Sequence, residues 1–294
     1  MSVPAPPIAT PELPNSPLSE PVPRDGTLGQ KLAAIARVVV PPLVVFLIFV
    51  GLWELASEVL ISPQKRFLLP PPQDVMNIGF FDDFNRAEIF HGLWLTAKTA
   101  LLGLGISIVG GMALAIAMSQ AKWIERSLFP YAVILQTIPI LALVPLIGFT
   151  IGFNFPSRVL VVVLISIFPI ITNTLFGLLS AEQGQHDLFT LHKASRWTRL
   201  WKLQLPAAMP AIFTGFRTSA GLAVVGSTVG DFFFKQGEAG IGQLISLYST
   251  QLESERLYAA VIVASLLGVV IFVLVGFLND RIVGRWAPST RHGG

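Results

Sequence analysis

The sequence predicts an all-α polytopic membrane protein with about six transmembrane helices, and three observations carry that prediction. Of 294 residues, 53% are hydrophobic and only 13% charged, where a soluble domain carries about 25% charged residues. The mean hydropathy is +0.68. The apolar residues gather into six runs, each close to the ~20 residues that a ~30 Å hydrocarbon core requires. There are no cysteines, which excludes disulfides, thiolate metal sites and cysteine nucleophiles.

Taken in order, residues 1–30 hold eight prolines and almost no large apolar side chains, the composition of a disordered tail. The first apolar run lies too far in and is too long for a secretory signal. Residues 31–286 are expected to form one six-span domain, and 287–294 a short tail. Val38–Leu60 is the first span, with Glu54 and Glu58 near its far end read as interfacial or helix-pairing acids ahead of an intramembrane functional site. Ser62–His91 is polar, carries Pro70, Pro71 and Pro72, and has room for a short helix outside the membrane. Leu93–Ser119 is the second span; Gly103, Gly105, Gly110 and Gly111 would let helices approach closely.

Leu128–Phe153, the third span, is interrupted by Pro139 and Pro145. Mid-membrane prolines are tolerated where a neighbour or a cavity satisfies the freed carbonyls, so this run reads either as a kinked, pore-lining helix or as a simple bend. Val159–Leu179 and Ala211–Val229 are the fourth and fifth spans. The fifth carries Thr214, Arg217, Thr218 and Ser219, and polar groups on a span usually face protein or a wet path. Asp231–Arg256 is expected as an outer loop and Leu257–Leu278 as the sixth span.

Charge sets the expected orientation. With the amino terminus inside, twelve of the twenty Lys and Arg fall in inner segments and six in outer ones, Arg158 among the latter. That bias puts both termini in the cytoplasm. It also accounts for the net charge of +3 without a nucleic-acid partner.

The polar island Ser180–Pro206 between the fourth and fifth spans therefore faces the cytoplasm. In it Lys193, Arg196, Arg199 and Lys202 recur every three residues, with Leu191, Ala194, Trp197, Leu200, Trp201 and Leu203 between them. This spacing predicts an amphipathic helix with a cationic face, ending before Pro206 and Pro210 start the next helix. It is either a docking element or an interfacial helix that touches only lipid.

Asp187–Pro206 resembles the cytoplasmic "EAA" loop of bacterial ABC-importer permeases, in which Glu-Ala-Ala, three residues, Gly and nine residues precede Ile-x-Leu-Pro. Asp187-Leu188-Phe189 occupy the acidic-Ala-Ala positions, Lys193 the glycine position, and Leu203-Gln204-Leu205-Pro206 the closing positions. The flanks resemble the nitrate/sulfonate/taurine-type branch. They include Gln136-Thr137-Ile138-Pro139 with Ala142 to Leu146, Ala194-Ser195-Arg196-Trp197, Pro206 to Ile212 with Gly215 and Arg217, and Val229-Gly230-Asp231 with Gly240-Ile241-Gly242. Lys193 in place of glycine implies that the turn of this loop differs here.

The resemblance implies a type I (MetI-like) permease that is not itself an enzyme and has no catalytic or metal-binding residues. Its partners would be two ABC ATPase subunits holding ATP and Mg, an extracytoplasmic substrate-binding protein, a second permease copy, identical or related, and membrane lipid. Asp187, Leu188, Phe189, Leu191, Lys193, Ala194, Ser195, Arg196 and Trp197 would form a short helix that couples to the ATPase. Gln136, Thr137, Pro139, Arg217, Thr218 and Ser219 are read as lining the solute path, with Arg217 either attracting an anionic substrate or snorkelling to the interface. The residues themselves agree on one point: there is no G-x-x-x-x-G-K-[ST] loop and no Gly-Lys dipeptide, so any nucleotide chemistry sits on another chain. The rival class is a gradient-driven secondary transporter or channel, which predicts membrane-centre acids or an internal duplication. An intramembrane enzyme is less favoured still, since His91, His186, His192 and His292 sit in polar stretches without an H-E-x-x-H pattern.

Overall fold

A computed structural model describes residues 28–283, in two units parted after Leu55; the proline-rich tail and the final segment lie outside the described residues. The first unit contains α1 (Leu28–Leu55). Its Val39, Phe46 and Phe49 are all more than half exposed, and a helix apolar all round belongs in hydrocarbon. A π-helical turn, Ala56–Leu60, follows in the chain.

The second unit continues with α2 (Pro72–Met76), α3 (Asp83–Gln120), α4 (Lys122–Thr137), α5 (Ile140–Ile151), α6 (Phe155–Leu179), α7 (Gln183–Leu191), α8 (Arg196–Arg199), α9 (Leu205–Phe233), α10 (Ile241–Gln251) and α11 (Ser254–Val283). Five helical stretches are long and apolar enough to cross a bilayer, and the bent pair α4–α5 brings the number up to six if it counts as one span. The all-α, multi-span architecture is as expected.

The core is the packing of α3, α6 and α9. Ala100 and Leu104 of α3 meet Val162 and Ile170 of α6 and Ala220, Ala223 and Val224 of α9. Close approach is what α3 supplies: a β-carbon at Gly103 would run into the Val162 side chain. Gly103 and Gly111, two turns apart, are buried in this seam, whereas Gly105 faces open space, so only part of the glycine run serves the expected purpose. Without a hydrophobic force between helices in lipid, buried hydroxyls add specificity. Ser107 Oγ lies 2.8 Å from Ser166 Oγ, and Ser219 Oγ donates to the Ser166 carbonyl at 2.6 Å.

The third predicted span is not merely kinked, because α4 and α5 meet at 98°. The cause is local. Ile138 precedes a proline and is held extended at φ −64°, ψ 127°, and Pro139 then caps α5. Pro145 stays inside α5 without ending it. The predicted outer loop is also more ordered than expected, since it contains α10. Tyr248 of α10 donates to Glu88 Oε2 of α3 at 2.6 Å, and burial together with that carboxylate pushes the phenol well above its ordinary range.

Candidate coupling loop and solute path

The island is not one amphipathic helix, because its chain reverses between α7 and α8. Lys193 N donates to Thr190 O at 2.9 Å and Ala194 N to Phe189 O at 3.0 Å. This is the paired bonding of a Schellman turn, whose left-handed position usually falls to glycine. Lys193 takes that position at φ 49°. The turn expected to differ is therefore made in the way that glycine makes it. Ser195 then caps α8, accepting from Thr198 N at 3.2 Å, and Arg199 of α8 donates to Thr190 Oγ1 of α7 at 2.9 Å, tying the two arms.

Beyond α8 the helix does not restart at Pro206, because Arg196–Phe233 is one continuous 38-residue helix. Residues Leu200–Gln204 form a π turn directly ahead of Pro206, whose ring and missing N–H would break an α register there. Leu200 anchors this stretch against Leu178, Ala208 and Ile212. By contrast α7 buries nothing: its Leu188 and Leu191 are 53% and 80% exposed. Of the nine residues assigned to coupling, Asp187, Leu188, Phe189 and Leu191 lie on α7, Lys193, Ala194 and Ser195 form the turn, and Arg196 and Trp197 begin the long helix.

The six residues assigned to the solute path fall in three places. Gln136 lines a cleft of about 470 Å³ beneath the α4–α5 bend, and Thr137 and Pro139 are exposed beside it. Leu141, Phe168, Leu222 and Val225 form other parts of its wall, and Gln136 is its one hydrophilic side chain. Arg217 and Thr218 open instead on a separate cavity between α9 and α11. Ser219 lines neither; it is fully buried, and its hydroxyl is spent on the Ser166 carbonyl of α6.

At the opposite end from α7, the sequence concealed a buried knot. Arg158 at the start of α6 is 2% exposed and meets Asp231 near the end of α9 at 3.2 Å. Its guanidinium also donates to the carbonyls of Phe234, Gln236 and Glu238, holding the chain that leaves α9. Thr96 of α3 donates to Asp231 at 2.5 Å and accepts from Ile241 N at 2.8 Å. Gly240 is required where α10 begins, because a β-carbon there would overlap the Asp231 carboxylate. Arg158, counted above as an outer-loop charge, thus belongs to the interior. Its only sequence signal was its place at the edge of a span.

Among the described residues no three His, Asp or Glu side chains gather as a metal site. A bundle of membrane-crossing helices with an unburied helix–turn–helix at one end and an apolar cleft under a broken helix defines a transport subunit rather than a soluble binding module. The chain belongs to the family of binding-protein-dependent transport system inner membrane components, whose model matches residues 105–287. It is therefore a multi-pass membrane permease subunit of an ABC importer. It is 31% identical to the formylaminopyrimidine transport permease ThiX of Halalkalibacterium halodurans, over 82% of this chain and 94% of that protein. Against the riboflavin transport system permease RibX of Chloroflexus aurantiacus it is 29% identical, over 84% and 90%. Nitrate, aliphatic sulfonate and taurine permeases match as well. An inward-facing structure of the MetNI methionine ABC transporter shares the fold, with TM-score 0.59 at 17% identity over 70% of this chain and 100% of that one.

Proposed function

We propose that this chain forms the membrane path of an importer for a small organic solute, heterocyclic or anionic, and that α7 couples the path to a separate ATPase holding ATP and Mg. The observation that carries the coupling is the contrast within the island: α8 and the π turn are anchored by buried Leu200, while α7 offers exposed Leu188 and Leu191 on a rigid turn. Unburied apolar side chains on a cytoplasmic helix call for a protein groove. Coupling further requires that the ATPase contact α7 differently in its two states.

In this reading both termini and α7 are cytoplasmic, an extracytoplasmic binding protein delivers the solute, two ATPase subunits bind below, and a second permease copy completes the path. Gln136, Thr137 and Pro139 border the path at the bend. An apolar cleft with one amide among its lining side chains suits a flat, weakly polar ring, in keeping with the solutes named for the pyrimidine and riboflavin relatives.

The test is co-purification of the tagged chain with its ATPase in mild detergent, repeated with Leu188→Arg and Phe189→Glu. A P-loop subunit that comes with the wild type and is lost from folded variants supports the reading. Variants that keep the ATPase and transport normally would sink it.

A further inference from the structure

Arg217 is the cation of α9, and its contact among the described residues is with an aromatic ring rather than an ion pair. Its guanidinium lies over the Phe272 ring, Cζ 4.0 Å from the centroid, and beside Gly276, where a β-carbon would stand 3.8 Å from it. It is thereby set against α11. In front of it opens a cavity of about 440 Å³, whose wall is completed by Phe213, Thr214, Thr218 and Asn279. The two threonine hydroxyls donate to the carbonyls of Pro210 and Thr214, so recognition falls on the guanidinium.

An arginine within a membrane helix is costly unless something supplies acceptors for its five N–H groups. A planar fork held against an aromatic face is preorganised for two parallel bonds to the oxygens of one anion. The apolar cleft at Gln136 offers no such group, which separates the two cavities chemically.

We propose that the Arg217 cavity binds a single oxyanion of the phosphate or sulfonate class through its guanidinium fork. Those oxygens have two sources, the headgroup of an anionic phospholipid lying along α9 and α11 or a free anion moving through the importer. The inference deepens the importer reading, and its second source rests on it.

The test uses the full chain, as wild type, Arg217→Gln and Phe272→Leu. Native mass spectrometry from nanodiscs containing phosphatidylglycerol counts retained lipid. Thermal unfolding in phosphatidylcholine nanodiscs with added methanesulfonate or inorganic phosphate reads free anions. Lipid retained by the wild type and lost from Arg217→Gln supports the headgroup source. Stabilisation by a free anion with at least about tenfold tighter binding than in Arg217→Gln, the scale of a charged hydrogen bond, supports the solute source. Phe272→Leu keeps the charge and drops the brace, so it weakens the same probe by less, and it carries the test if Arg217→Gln does not fold. Equal binding by wild type and variants, or no binding of any probe, overturns the proposal. ATPase co-purification from the same samples is expected to be unchanged by Arg217→Gln, so a failure of the coupling reading registers separately.

Discussion

Arg158 and Asp231 meet at 3.2 Å where neither side chain reaches solvent, and between them they join the start of α6 to the end of α9. Removing one member of a buried pair strands the other and costs about 3–5 kcal/mol, whereas replacing both with apolar residues is often nearly neutral. Asp231→Ala and Arg158→Ala should each lower the unfolding temperature sharply, and Arg158→Met combined with Asp231→Leu should recover much of the loss. Thermal unfolding in detergent reads this directly. Singles and double that are equally destabilised would refute the coupling of the two charges.

Lys193 holds a left-handed position at φ 49°, which costs a residue with a side chain about 1 kcal/mol. Lys193→Gly should therefore stabilise the chain by up to about that amount, reduced by glycine's own entropy, while Lys193→Val should destabilise it. The order of the three midpoints in denaturant unfolding checks the turn, and valine above lysine would mean a different backbone there.

The right-angle bend rests on Ile138 and Pro139. In Pro139→Ala the clash that keeps Ile138 extended is gone, so α4 and α5 should straighten. Spin labels at Phe129 and Phe149 should move apart toward the roughly 30 Å of a straight helix. The same labels with Pro145→Ala should not move, since Pro145 sits within α5. Unchanged distances in both variants would assign the bend to packing instead.

Tyr248 should ionise only at strongly alkaline pH, being buried and bonded to Glu88. Its folded value lies above the unfolded one. The stability linked to it is therefore whole below the ordinary phenol value of 10.0 and is lost as pH climbs through the raised one. Tyrosinate absorbance should show a late phase that Tyr248→Phe abolishes and Glu88→Gln moves to lower pH. A titration unaltered by Tyr248→Phe would contradict the contact.

What was legible in the sequence was whatever short-range pattern encodes. The runs around Val159–Leu179 and Leu257–Leu278 announced their helices because the bilayer demands uninterrupted apolar length. The island's motif spacing announced a loop of fixed design, yet threefold charge recurrence suggested one helix where Lys193 makes a turn. Periodicity does not register a single left-handed residue. The bonds of Arg158 and Ser219 went unread for another reason: their partners, Asp231 and the Ser166 carbonyl, lie 73 and 53 residues away. Only the packing of three helices reveals them.

The unbroken helix from Arg196 to Phe233 has a mechanical consequence. At 1.5 Å per residue its 38 residues span about 57 Å, and one end is fastened at Asp231 while the other carries α7. It is held near both tips, by Leu200 against Leu178, Ala208 and Ile212 on the α7 side and by the Arg158–Asp231 pair at the other. The turn that carries α7 and the segment Phe234–Glu238 therefore hang from the two ends of one stiff member.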